Sequence, residues 1–138
     1  MCSCSRRNLG IVIMEAGGLL VMAALLLLFG PGSDRPSYQT ISPSAAVELL
    51  VGEEPVILLD VRTQEEYAAG HIENAILIPN TELAGRAPAE LPDKDALIIL
   101  YCRSGNRSAT AARDLADLGY TRVYDLGGII DWPYEVVS

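Results

Sequence analysis

The residues that could carry chemistry are concentrated in one short segment around Cys102. An apolar run, Leu97–Cys102, ends in this cysteine, and a helical pattern begins at Asn106. A thiol at the start of a helix lies near free backbone N–H groups and the positive end of the helix dipole, which lower its pKa. Two guanidinium groups, Arg103 and Arg107, flank it in the same turn. This combination predicts a sulfur nucleophile that attacks an anionic substrate, rather than a buried structural thiol.

The surrounding pattern is typical of an α/β fold with a mostly parallel sheet of about five strands and helices on both faces. Continuous apolar runs at residues 57–61 and 97–102 indicate two buried central strands. Weaker strand patterns occupy residues 38–41, 75–78 and 122–125. Ligands of open α/β sheets bind at the carboxyl ends of the strands, so the turn after Cys102 is where a site is expected.

Capping signals and apolar spacing predict three helices, at residues 45–51, 64–69 and 106–118. The first follows Ser42, with Pro43 near its first turn. The second has capping-box spacing, since Thr63 is followed three residues later by Glu66. The third is the longest and leads directly out of the Cys102 turn.

Composition excludes several classes of function. The chain has 138 residues and a net charge of -8. Its first 33 residues carry two arginines and one glutamate, so the rest holds 8 basic and 17 acidic residues. An acidic domain without a basic stripe is a poor match to nucleic acid. One histidine and three cysteines, without metal-ligand spacing, supply neither a metal site nor a disulfide framework.

Three ordered motifs resemble the rhodanese family of sulfurtransferases. The first is DVRTQEEY at residues 60–67, followed by GHIENA at residues 70–75. The second is CRSGNRS at residues 102–108, and the third is GGIIDW at residues 127–132. The resemblance covers about residues 38–133, and three motifs in this order are far more specific than any one alone.

The resemblance implies a thiosulfate sulfurtransferase. In this reading, the catalytic Cys102 takes a sulfane sulfur from a small anionic donor such as thiosulfate and forms a persulfide. The sulfur then passes to a thiophilic acceptor, which is cyanide, a thiol or a protein. Backbone N–H groups of the turn are expected to surround the anion. The expected substrate-binding residues are Arg103, Ser104, Gly105, Asn106, Arg107 and Ser108. No cofactor is implied.

Four further residues are expected to support the structure rather than to act chemically. Asp60 and Arg62, at the end of the other central strand, are expected to hold loops as an ion pair. Trp132 is interpreted as a core or covering residue. His71 could be proposed as the base of a cysteine hydrolase, but no Asn or Asp that would orient it is identifiable. It is therefore interpreted as structural.

The N-terminal segment predicts a hydrophobic helix that spans a membrane. Residues 9–29 are interrupted by one charge, Glu15, and this length can cross a bilayer. Because Arg6 and Arg7 precede it, the following domain is expected on the exocytoplasmic side of a single-pass protein. A cleaved signal sequence and an exported soluble domain are the alternative. The predicted organisation is an anchor or signal at 1–30, a linker at 31–37 and the rhodanese-like domain at 38–138.

Other functions stay open at this point. Dual-specificity phosphatases and arsenate reductases resemble this fold but use a C-x5-R loop, whereas Cys102 and Arg107 are separated by four residues. The shorter loop favours a sulfur atom over a tetrahedral phosphoryl group. A persulfide-relay or binding module with negligible thiosulfate turnover is the main alternative.

Overall fold

The computed structural model describes residues 37–138. The predicted N-terminal hydrophobic helix, with its roles as anchor or signal, therefore lies outside the described residues and stays a prediction. The predicted linker also lies outside the described residues up to residue 36. The exocytoplasmic location stays a prediction as well. Between residues 37 and 138, no helix is both long enough and apolar enough to cross a membrane.

The described chain alternates strands and helices, and every strand and helix predicted from residue 38 onward is present. The five strands are β1 (Gln39–Thr40), β2 (Val56–Asp60), β3 (Ile76–Leu77), β4 (Leu97–Cys102) and β5 (Val123–Gly128). The four helices are α1 (Pro43–Leu50), α2 (Gln64–Ala69), α3 (Asn80–Glu90) and α4 (Asn106–Asp117). A 3-10 helix, Ile129–Asp131, follows β5. The predicted bounds of β4 and α2 are confirmed, and β5 extends beyond its predicted end into Gly127 and Gly128.

The strands form one sheet in the order β1-β5-β4-β2-β3, and every neighbouring pair is parallel. Strand β4 lies in the centre, where Leu97 pairs with Val56 and Tyr101 pairs with Asp60. On its other side Cys102 pairs with Gly128. Because parallel strands end at the same edge, the sheet brings the ends of β2, β4 and β5 together around Cys102.

The core lies on both faces of this sheet. All six residues of β4 are buried, which explains its continuous apolar sequence. Successive side chains point to opposite faces. Ile98 and Leu100 pack in one cluster with residues of α3 and α4, whereas Ile99 and Tyr101 pack in another with residues of α1. The predicted arrangement of helices on both faces is confirmed.

Helix α3 has no counterpart among the predicted elements. Its interior contains Gly85 and Pro88, two residue types with poor helix propensity. Tertiary packing compensates, because Leu83 and Ala87 are fully buried against the sheet. The hydroxyl of Tyr120 also lies 2.9 Å from the Ala87 carbonyl oxygen, near the end of the helix. These partners come from distant parts of the chain, so the local pattern did not reveal the helix.

Candidate active site

The turn between β4 and α4 folds back over the sulfur of Cys102. Cys102 is the last residue of β4 and only 1% exposed. Gly105, which immediately precedes α4, has a φ of 101°, in the left-handed region that favours glycine. This conformation directs the Gly105 N–H towards the sulfur, and the N···Sγ distance is 3.0 Å. The glycine of the motif therefore supplies one donor to the sulfur.

A second close approach supports the same turn from β5. A Cβ atom built on Gly128 would lie 2.5 Å from the carbonyl oxygen of Arg103 and 2.8 Å from Cα of Ser104. No side chain fits between these two segments of backbone. Gly127 has a φ of 87°, and its N–H donates to the Asp125 carboxylate at 2.9 Å. The two glycines thus let the end of β5 pack directly against the Cys102 turn.

Ser108 places a hydroxyl close to the sulfur. Its side chain is buried, and Oγ lies 3.6 Å from Sγ of Cys102 and 3.0 Å from the Gly105 carbonyl oxygen. Burial by itself raises the pKa of the Cys102 thiol. Hydrogen bonding with the Ser108 hydroxyl and with the N–H groups of Ser108, Gly105 and Ser104 outweighs burial and holds the pKa below its usual value. The surroundings of Cys102 therefore favour the thiolate.

Ser108→Ala is expected to raise the pKa of Cys102 by about one pH unit, because a hydrogen bond to a charged group contributes about 1.5 kcal/mol. The thiolate would then form at a higher pH than in the wild-type protein. Any activity that depends on the thiolate would shift to higher pH in the same way. The ultraviolet absorbance of the thiolate as a function of pH measures this shift. Ser104→Ala is the matched control, since Ser104 acts through its backbone N–H and should leave the midpoint unchanged. An unchanged midpoint in Ser108→Ala would contradict the role of the hydroxyl.

The guanidinium of Arg107 is held by a carboxylate from another helix. Arg107 Nη1 and Nη2 each donate to one oxygen of Glu66, and both distances are 2.7 Å. Glu66 also completes the predicted capping box of α2, because Oε2 accepts the Thr63 N–H at 3.1 Å. Hydrogen bonds from Arg107 lower the pKa of Glu66 to about 2. This geometry favours a bracing role for Arg107, whose part in substrate binding stays a prediction.

The other predicted binding residues lie at the surface of the turn. The side chains of Arg103, Ser104 and Asn106 are exposed. The carbonyl oxygen of Arg103 accepts the N–H of Ile130 at 3.3 Å, which ties the turn to the 3-10 helix. Among the ion pairs formed within residues 37–138, none includes Arg103. Its guanidinium is therefore the positive group on this turn that has no carboxylate partner in the described chain.

Asp60 and Arg62 form a buried ion pair beside the turn. Asp60 is fully buried, and Arg62 Nη2 lies 2.6 Å from Asp60 Oδ2. The same Nη2 donates to the Gly70 carbonyl oxygen at 2.7 Å. The guanidinium carbon lies 5.6 Å from the centre of the Tyr101 ring. The pair thus connects the ends of β2 and β4 to the loop after α2.

His71 and Trp132 lie in packing positions. The His71 ring stacks on Tyr67 with centroids 3.7 Å apart, and Nδ1 is 2.9 Å from the Tyr67 carbonyl oxygen. Two backbone hydrogen bonds of 2.8 Å pair His71 with Val137. Trp132 Nε1 donates to the Glu135 carbonyl oxygen at 3.4 Å. In the described chain, neither side chain is a hydrogen-bond partner of Cys102.

Sequence reasoning missed two residues that shape the site. Glu66 is visible in the sequence as a helix cap, but 41 positions separate it from Arg107, so no local pattern links them. Asp125, which orders Gly127, stands in a strand pattern as an isolated carboxylate. Only its burial, with 7% exposed, distinguishes it from a surface residue.

A parallel five-stranded sheet with a cysteine turn at the end of its central strand agrees with the motif resemblance. The model of the rhodanese-like domain family matches residues 42–133. The chain therefore belongs to the rhodanese-like domain family.

Two of the named relatives are single-domain thiosulfate sulfurtransferases. The chain is 38% identical to thiosulfate sulfurtransferase PspE of Escherichia coli over 53% of this chain and 70% of that protein. It is 37% identical to thiosulfate sulfurtransferase GlpE of Pseudomonas fluorescens, over 73% of this chain and 94% of the relative. A solved structure described as "rhodanese with anions from E. coli" superposes with a TM-score of 0.58 and is 34% identical, covering 61% of this chain and 99% of that one.

Proposed function

We propose that this protein is a thiosulfate sulfurtransferase that works through a persulfide on Cys102. The observation that carries this proposal is the set of polar groups around Sγ, where the Gly105 N–H lies at 3.0 Å and the Ser108 hydroxyl at 3.6 Å. Together with the N–H groups of Ser104 and Ser108, they lower the pKa of the thiol. A thiolate held in this way is a nucleophile without a neighbouring base. The names of the family relatives support sulfur transfer as the chemistry.

The reaction follows from attack by this thiolate on the outer sulfur of thiosulfate. A bond forms between Sγ of Cys102 and that sulfur, the S–S bond of thiosulfate breaks, and its electron pair leaves with sulfite. Cyanide or a thiolate then attacks the terminal sulfur of the persulfide. The Sγ–S bond breaks, the product is thiocyanate or a new persulfide, and Cys102 returns to the thiolate. No external oxidant or reductant is needed.

The anionic donor is bound by the turn itself. The N–H groups at the start of α4 stabilise negative charge, as helix N-termini generally do. Arg103 adds an exposed guanidinium that carries no ion pair within the described chain. The E. coli structure whose description mentions anions supports a donor of this charge. In this proposal Gly105 and Ser108 stabilise the sulfur, and Arg103 contacts the donor.

The test is intact-protein mass spectrometry of the full chain before and after thiosulfate, combined with a thiocyanate assay. We expect a gain of about 32 Da, one sulfur, that cyanide removes. Repeated turnover should release sulfite and thiocyanate in equal amounts. Absence of the adduct would overturn thiosulfate as the donor.

A persulfide relay to a protein acceptor is the second candidate. Ile130 is 64% exposed, and its N–H bonds the Arg103 carbonyl, so an apolar side chain stands at the rim of the turn. Such a surface suits a protein acceptor better than cyanide. In the same experiment the relay would give the sulfur adduct without sustained thiocyanate production.

A further inference from the structure

We propose that Glu66 is a positioning residue for sulfur transfer, because it holds Arg107 and thereby fixes the turn that surrounds Cys102. This inference rests on the proposed function and adds a role for a residue outside the cysteine motif. It also assigns different roles to the two arginines of the turn. Arg107 acts as a brace, and Arg103 is the guanidinium available to the donor.

The geometry of the pair is suited to bracing. Its two parallel hydrogen bonds, both 2.7 Å, fix the direction of the guanidinium as well as its distance. Arg107 lies in the first turn of α4, directly before Ser108 and two residues after Gly105. Both neighbours donate to or contact Sγ of Cys102. A restraint on the position of Arg107 therefore also restrains the Gly105 N–H and the Ser108 hydroxyl beside the sulfur.

Glu66 is itself anchored on the other side. It occupies the third position of α2, where the Thr63 hydroxyl accepts its N–H at 3.3 Å and its carboxylate accepts the Thr63 N–H. The capping box thus limits the rotation of the carboxylate. Two helix N-termini are tied together through a single side chain, and one of them carries the active cysteine turn.

This pair is less exposed than the surface pairs of the same chain, so solvent screens it less. The side chains of Arg107 and Glu66 are 33% and 27% exposed, compared with 39% and 54% for Arg86 and Glu82. The lowered pKa of Glu66, about 2, keeps the pair charged at any pH where Cys102 forms a thiolate. The contribution of the carboxylate to folding is complete above the ordinary glutamate range and declines as the pH falls towards 2.

The pair also changes the charge that a donor meets. Glu66 neutralises Arg107, so this guanidinium offers little attraction to an anion. The strongest influences on the pKa of Cys102 are burial, the Ser108 hydroxyl and backbone N–H groups, rather than either arginine. Loss of the brace should therefore act through displaced N–H donors and raise the pKa of Cys102. Simple removal of a negative charge would instead lower it.

A double-mutant cycle on the full chain tests the brace. Glu66→Gln breaks the ion pair but keeps a side chain that can complete the capping box. We expect Glu66→Gln and Arg107→Gln each to lower kcat/KM for thiosulfate by about tenfold, with the double variant no worse than either. All three should raise the pKa of Cys102, measured by thiolate absorbance against the matching Cys102→Ser protein. Glu82→Gln, which breaks an exposed pair, is the control and should change neither quantity.

Two results would overturn the brace. In the first, Glu66→Gln leaves kcat/KM and the pKa of Cys102 unchanged, as Glu82→Gln does. In the second, Arg107→Gln lowers kcat/KM far more than Glu66→Gln does, mainly by raising KM, which would assign Arg107 to donor binding. Thermal unfolding of each variant separates a local effect from loss of the fold. The pKa measurement needs no sulfur donor. A wild-type protein that takes no sulfur from thiosulfate therefore contradicts the proposed function alone. The pKa measurements on the variants would still show whether Glu66 positions the turn.

Discussion

Replacing Cys102 with serine is expected to abolish sulfur transfer while leaving the fold intact. Serine is a much weaker nucleophile at neutral pH, so turnover should fall by at least about a thousandfold. The substitution nearly preserves volume, and the new hydroxyl can accept the Gly105 N–H that now bonds the sulfur. Mass spectrometry after thiosulfate measures the first effect, and thermal unfolding measures the second.

The other two cysteines provide the matched control for this substitution. Cys2→Ser and Cys4→Ser remove the same functional group from the N-terminal segment, and both variants should still gain one sulfur. Sulfur uptake by Cys102→Ser at the wild-type level would contradict the proposed mechanism completely. A loss of uptake accompanied by a large fall in Tm would point to a structural effect instead.

Replacing Gly128 with alanine is expected to damage both stability and activity. The added Cβ would stand 2.5 Å from the Arg103 carbonyl oxygen and 2.8 Å from Cα of Ser104. Both neighbours are backbone atoms, so the clash cannot be relieved by a side-chain rotation. We expect a loss of about 3 kcal/mol in the free energy of unfolding. Displacement of the turn should also lower kcat/KM by about a hundredfold.

Gly85→Ala is the matched control, because it adds the same methyl group where nothing lies within 4 Å. Gly85 is inside α3, so alanine should stabilise the protein by about 0.5 to 1 kcal/mol and leave activity unchanged. Denaturant unfolding and the thiocyanate assay compare the two variants directly. Wild-type stability and activity in Gly128→Ala would show that the contact between β5 and the turn is unimportant.

The sequence alone determined the features whose causes are local. The continuous apolar run of β4 predicts a buried central strand, and Thr63 with Glu66 predicts the start of α2. Cys102, at the end of that run and shortly before a helical pattern, predicts N–H groups near the thiol. In each case the signal lies within a few residues of the structure it describes, because backbone preference and side-chain periodicity act over that range.

Only the tertiary structure decided how these local features meet. It pairs Arg107 with Glu66 across 41 positions, places Gly128 against the Arg103 carbonyl, and buries α3 despite Gly85 and Pro88. Each of these outcomes depends on which strands are neighbours in the sheet. Strand order brings together residues that are far apart in the chain, and no propensity or spacing rule encodes such a contact. The motif therefore predicts which residue is the nucleophile, whereas the packing of the sheet determined which residues surround it.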